Sequence, residues 1–147
     1  MQMGEERMDN HVRSRPLPRD LDDPGQVAEL VRRLYAEVDR DALLGPMFNE
    51  VARVDWPEHL AKLTGFWCRV PFGIAGYQGN PFRSHALVHA QRSFSAAHFR
   101  RWLALFRQTL EGDWQGPKAD QAIDLACKLA RVHAHQLIGE EMCPAGL

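Results

Sequence analysis

The chain has 147 residues, enough for one domain with a sizeable core. Its 45% apolar and 25% charged content is that of an ordinary globular protein. The 18 Lys+Arg against 19 Asp+Glu give no electrostatic case for nucleic acid or an anionic membrane as the main partner, and the apolar runs break well before membrane-spanning length.

The opening stretch "MQMGEERMDNHVRSRPLPRD" lacks the apolar centre of a signal peptide. It reads as a disordered tail over 1–22, rich in charge and proline, ahead of a domain over 23–139 and a short tail over 140–147. Cys68, Cys127 and Cys143 are odd in number and lack CxxC spacing. That excludes a disulfide framework or structural zinc site as the organising feature, and fits small thiols in a reducing cytoplasm.

In chain order, Asp23 predicts an N-cap with Pro24 at the first helical position. Val27, Leu30, Val31, Leu34, Tyr35 and Val38 then form one apolar stripe at helical spacing. "LLGPMFNEV" predicts a turn at Gly45-Pro46 and a short helix after it. A second long helix starts near Asp55, with Trp56, Leu60, Leu63, Trp67 and Val70 on one face and Pro71 and Gly73 helping to end it. "GIAGYQGN" is a glycine-rich connection. Asn80 caps a helix that opens with Pro81 and carries Phe82, His85, Val88 and His89. Ser95 caps the next, whose stripe is Phe99, Trp102, Leu103, Phe106 and Leu110. The last helix follows "QGPKAD" and shows Ile123, Leu125, Ala126, Leu129 and Val132. With almost no strand alternation, the expected fold is all-α, with about four long helices and one or two short ones.

Titratable and hydrogen-bonding groups fall on these apolar faces. His85 sits on a short helix beside Phe82 and Val88, the setting from which an imidazole can reach a haem iron. A satisfied core or boundary histidine has the same pattern. His89, one turn on, lies about 6 Å further along the axis. The pair could bind a divalent metal at i, i+4, but a catalytic zinc site usually wants a third ligand, and no carboxylate lies between or immediately beside them. A solvent-facing His89 is the simpler reading. Tyr35, His59 and Trp102 can each offer a hydrogen bond to a buried ligand, or be ordinary packing residues with an exposed edge for His59. "GIAGYQGN" is not a phosphate-binding loop, there is no GxSxG elbow, and Arg100-Arg101 reads as a solvated face.

Taken together, "LYAEV", "DALLGPMFNEV", "WPEHLAKLTGFW", "YQGNPFRSH" and "HFRRWLALFRQTL", in this order and spacing, resemble the truncated haemoglobins, most closely their third group. The resemblance runs from about Gly25 to Ile138. It implies a two-over-two helical sandwich around haem b and reversible binding of O₂, and of NO or CO. On it, His85 matches the axial iron ligand, and Tyr35, His59 and Trp102 the distal set. Phe48, Leu63, Trp67, Phe99 and Trp102 match cofactor contacts. Lys62, Arg83 and the Tyr77 hydroxyl are candidate propionate partners. The segment "ALVHAQRSFSAA" is a few residues longer than in compact members. The same haem could serve NO dioxygenation or peroxide chemistry with an external reductase, since no reductase segment is recognisable here. A haem-free sensor or interaction module is the third alternative.

Overall fold

The computed structural model describes residues 18–72 and 81–139, apart from the side chains of 70, 71, 81–84 and 138. Helix α1 spans Pro24–Arg40. The Asp23 carboxylate accepts a hydrogen bond from the Gln26 backbone N–H at 3.0 Å, satisfying one of the donors that a helix start leaves open. Its buried residues are the six of the predicted stripe, Val27, Leu30, Val31, Leu34, Tyr35 and Val38.

The next segment differs from expectation at one point. The bend lies at residues 42–44, and Gly45-Pro46 already belong to the helical segment that continues as a π-helical turn, Met47–Val51. Proline is at ease in a first turn, where its missing N–H is not needed. Gly45 permits the close approach: a Cβ there would sit 2.7 Å from the Asp39 carbonyl oxygen.

Helix α2 is Trp56–Phe72, α3 Pro81–Gln91, α4 Ala96–Asp113 and α5 Pro117–Ile138. Helix α2 runs past Pro71 to Phe72, and Gly73 lies outside the described residues, as do Asn80, the two tails over 1–17 and 140–147, and the side chains of Val70 and Phe82. Helix α4 starts with a capping box in which the His98 Nδ1 takes the place of the usual Glu or Gln and accepts the Ser95 N–H at 2.9 Å.

Helix α1 packs on α2 and α4 on α5, and the two pairs meet through α1–α4 and α2–α5. That is a two-over-two sandwich. The small α3 bridges the π-helical turn and α5. No strand occurs among the described residues; an isolated bridge joins Arg19 and Trp114.

Helix α5 starts at Pro117, a turn earlier than expected, because its cap comes from elsewhere in the chain. The Asp20 carboxylate accepts the N–H groups of Lys118 and Ala119 at 3.0 and 2.8 Å. Residues 18–22, assigned from sequence to the tail, are thus part of the fold, and Leu21 is 1% exposed. Of the predicted α5 stripe, Ala126 is fully buried and Ile123, Leu125 and Leu129 pack part-buried against the core, while Val132 is 40% exposed. The most deeply buried face consists of Ala119, Ala122, Ala126, Cys127, Ala130, His133 and Ala134. Small residues let α5 approach its neighbours closely. Cys68 and Cys127 are buried free thiols.

Candidate functional site

The sequence puts Tyr35 one position after Leu34 on α1's inner stripe, and the fold turns it toward the π-helical turn and α2. Its ring meets Phe48 at 5.9 Å, His59 at 6.1 Å and Trp56 at 6.2 Å between centroids. His59 in turn meets Phe48 at 5.8 Å and Trp56 at 5.7 Å, both edge-on. Trp56 is held by its own indole N–H, which donates to the Asn49 side-chain oxygen at 2.9 Å. A four-ring box results, with one hydroxyl and one imidazole inside an otherwise apolar set.

Trp102 closes this box from α4. Its indole N–H donates to the Tyr35 hydroxyl oxygen at 3.0 Å. An indole can only donate, so Tyr35 accepts and must direct its own proton elsewhere. Burial pushes the Tyr35 phenol up to about 12, with the Trp102 hydrogen bond offsetting part of that effect, so the hydroxyl keeps its proton at neutral pH. The sequence suggests an independent donor in Trp102; in the fold it orients Tyr35. Its own position is fixed by stacking on Trp67 at 6.4 Å and by Phe106 at 5.4 Å. The neighbouring Arg101, read from sequence as simply solvated, donates from Nε to Asp41 at 2.7 Å and ties α4 to the end of α1.

Burial first, and then the charge of Lys62, push the His59 imidazole below its usual value. His59 is thus held neutral and can carry one N–H donor. Lys62 lies 3.3 Å from Glu58 and, with Arg53, Val54, Asp55 and His59, lines a cleft open to solvent. Leu63 packs against the core, and Trp67 is 4% exposed among Phe66, Trp102 and Phe106. Tyr77 and the Arg83 side chain lie outside the described residues.

One turn back along α4, roughly 4.5 Å of axial rise, the same stripe meets a second cluster. Phe99 touches Phe94 at 5.4 Å, and Phe94 touches His85 at 5.9 Å. The ring of His133 stands 4.7 Å from His85, edge-on. His85 is half-buried. His89 is engaged differently. Its Nδ1 accepts the Phe94 backbone N–H at 2.9 Å, and its ring stacks on Phe94 at 6.1 Å. With Nδ1 accepting, a neutral His89 carries its proton on Nε2 and has no lone pair there for a metal. The two-histidine metal reading thus loses one partner, and among the described residues no group of three or more His, Cys, Asp or Glu is placed to hold an ion.

Of the residues singled out from sequence, the structure brings Tyr35, Phe48, His59 and Trp102 together and places Phe99 in the second cluster, against Phe94. It missed Trp56 as part of the box, Phe94 as the neighbour of His85, and His133. Trp56 was legible as an apolar helix position. Phe94 stands in a short connection with no periodicity, and His133 on a face masked by alanines.

An all-α, two-over-two arrangement with a histidine at one end of an aromatic wall and a tyrosine, histidine and tryptophan further along defines a globin-like protein of the short type. Comparison with known proteins makes this specific. No family model matches the chain. It is 33% identical over 87 residues to the group 3 truncated haemoglobin ctb of Campylobacter jejuni, a match covering 57% of this chain and 66% of that protein's length. The crystal structure of the group III truncated haemoglobin from Campylobacter jejuni superposes with a TM-score of 0.73 and 27% identity, over 82% of this chain and 95% of that one. The chain belongs to the truncated haemoglobins and is most similar to their third group.

Proposed function

We propose that this chain binds haem b through His85 and reversibly binds O₂ and other diatomic ligands, NO and CO among them, beside Tyr35, His59 and Trp102. The donor set fits the group. A haem needs one neutral imidazole from an apolar surround and flat apolar walls, and His85 with Phe94 and Phe99 offers that chemistry. When bound, haem would supply an iron that takes a protein imidazole and a small diatomic ligand.

The residues of the chain do the rest. Of the two candidate histidines, His89 gives its Nδ1 to the Phe94 N–H, and His85, which matches the family's iron-binding position, is assigned as the axial ligand. Phe48, Leu63, Trp67, Phe99 and Trp102 supply the apolar walls that exclude water. Lys62, at the rim beside His59, is a partner for a carboxylate of the cofactor; Tyr77 and Arg83 are carried as further partners. Tyr35 holds a proton that Trp102 directs, and a partly negative oxygen atom is the acceptor that proton suits. His59 adds a neutral N–H.

The observation that carries the reading is the Trp102–Tyr35 hydrogen bond beside the aromatic box. Ordinary packing does not call for a buried hydroxyl with its proton turned away from its one strong partner. The test is the absorption spectrum of the purified protein in ferric, ferrous and CO-bound forms. A Soret band that shifts on reduction and again with CO is expected; a haem-free module would show none. Turnover of NO with O₂, or of peroxide, in the presence of an external reductant separates an enzyme from a carrier. A cytoplasmic setting accords with the free thiols of Cys68 and Cys127.

A further inference from the structure

His133 is buried, 6% exposed, on the alanine face of α5. A leucine of similar size would be easier to bury. Its Nδ1 lies 2.8 Å from the Leu129 carbonyl oxygen one turn back. A carbonyl only accepts, so Nδ1 carries a proton, and in that tautomer of a neutral imidazole Nε2 is the accepting nitrogen. The ring stands edge-on to His85 with 4.7 Å between centroids, where α3 packs on α5.

An imidazole that gives one nitrogen to iron keeps its proton on the other, and an acceptor for that proton sets both its orientation and its basicity. We propose that His133 is the positioning residue for the axial ligand: with haem bound, the second nitrogen of His85 donates its proton's hydrogen bond to His133 Nε2, and His133 Nδ1–H donates to the Leu129 carbonyl. The inference rests on the assignment of His85 as the axial ligand. The relay makes His85 a stronger donor to iron, which favours the ferric state and stiffens the iron–nitrogen bond.

The test is resonance Raman of the ferrous, ligand-free holoprotein, together with its midpoint potential. His133→Leu should lower the iron–imidazole stretching frequency and raise the potential, while His133→Gln, whose side-chain oxygen can accept, should recover much of both. A His133→Leu holoprotein with an unchanged stretch and potential would overturn the proposal. A second measurement avoids altering His133. The cavity of His85→Gly is filled with imidazole or with 1-methylimidazole, which lacks the second N–H. Imidazole should give the higher stretch, and equal values for the two would also overturn it. A wild-type protein with haem but no iron–imidazole band would overturn the axial assignment itself, an outcome distinct from a normal band that ignores His133.

Discussion

Trp102 donates its indole N–H to the Tyr35 hydroxyl at 3.0 Å, joining residues 67 positions apart on α4 and α1. The two are therefore one unit, with Tyr35 as the group whose proton is presented and Trp102 as the group that aims it. A mutation at either position acts on the same proton.

Tyr35→Phe keeps the ring and deletes the hydroxyl. A hydrogen bond with charged character contributes about 1.5 to 3 kcal/mol, or roughly ten- to a hundredfold in dissociation. O₂ release should speed by about that factor, while CO, a poor acceptor, should leave at nearly the wild-type rate. Trp102→Phe should act in the same direction but by less, and the double variant should be no faster than Tyr35→Phe alone. Stopped-flow dissociation of both ligands checks this. Additive effects would mean that Trp102 donates independently, and equal effects on O₂ and CO would remove the hydroxyl's assigned role.

His85 and His89 are separable by the same logic. His85→Ala should lose haem or shift its spectrum strongly. His89→Ala should leave the spectrum in place and instead lower stability by about 1 kcal/mol, because the Phe94 N–H loses its acceptor. Spectra and urea melts of the two variants decide it, and the reverse pattern would show that the wrong histidine has been assigned.

A cofactor built into the aromatic wall should also be felt in the melting curve. A ligand that binds only the folded state stabilises it by about 4 kcal/mol at a thousandfold excess over its dissociation constant. Removing haem should lower the melting temperature by several degrees or more, with the rings of Phe48, Phe94 and Phe99 more exposed to a hydrophobic dye. Coincident apo and holo melting curves would contradict it.

How far the sequence disclosed all this depended on the range of each interaction. The stripe of α1 was fully legible, because six large side chains repeat at helical spacing with a local cap. The inner face of α5 was not. Leu125 and Leu129 pack part-buried against the core, but Val132 does not, and the most deeply buried residues of the helix are mostly alanines, whose small apolar area leaves little periodic signal. The roles of Tyr35 and His85 were read from a family resemblance laid over apolar spacing. That Trp102 serves Tyr35, and that His89 caps the 92–95 connection, depend on contacts that no local pattern announces. The start of α5 is the sharpest case, since its capping carboxylate lies 98 and 99 positions away from the N–H groups it accepts.

That cap yields the last prediction. Burial works to raise the Asp20 carboxyl, but hydrogen bonds from the N–H groups of Lys118, Ala119 and Leu21 outweigh it and hold it below its ordinary value of 3.8. A depressed carboxyl contributes stability that is present above its unfolded value and is lost as pH falls through the folded one. Asp20→Ala should therefore cost about 1 to 2 kcal/mol near pH 7, the range for deleting a helix cap. The gap from wild type should narrow below about pH 4 and close in stronger acid. Asp20→Asn, which keeps one accepting oxygen, should recover part of the loss at neutral pH and show little of the acid dependence. Gly116→Ala offers an independent check on the same contact. Its φ of 134° disfavours any side chain, and a Cβ there would sit 2.6 Å from the Asp20 carboxyl carbon. It should destabilise by itself, and by less when Asp20 has already been cut back to Ala. Urea unfolding of the four variants at pH 7 and pH 3 measures every one of these differences. A wild-type stability for Asp20→Ala at pH 7, or a gap that widens in acid, would show that the carboxylate does not cap α5.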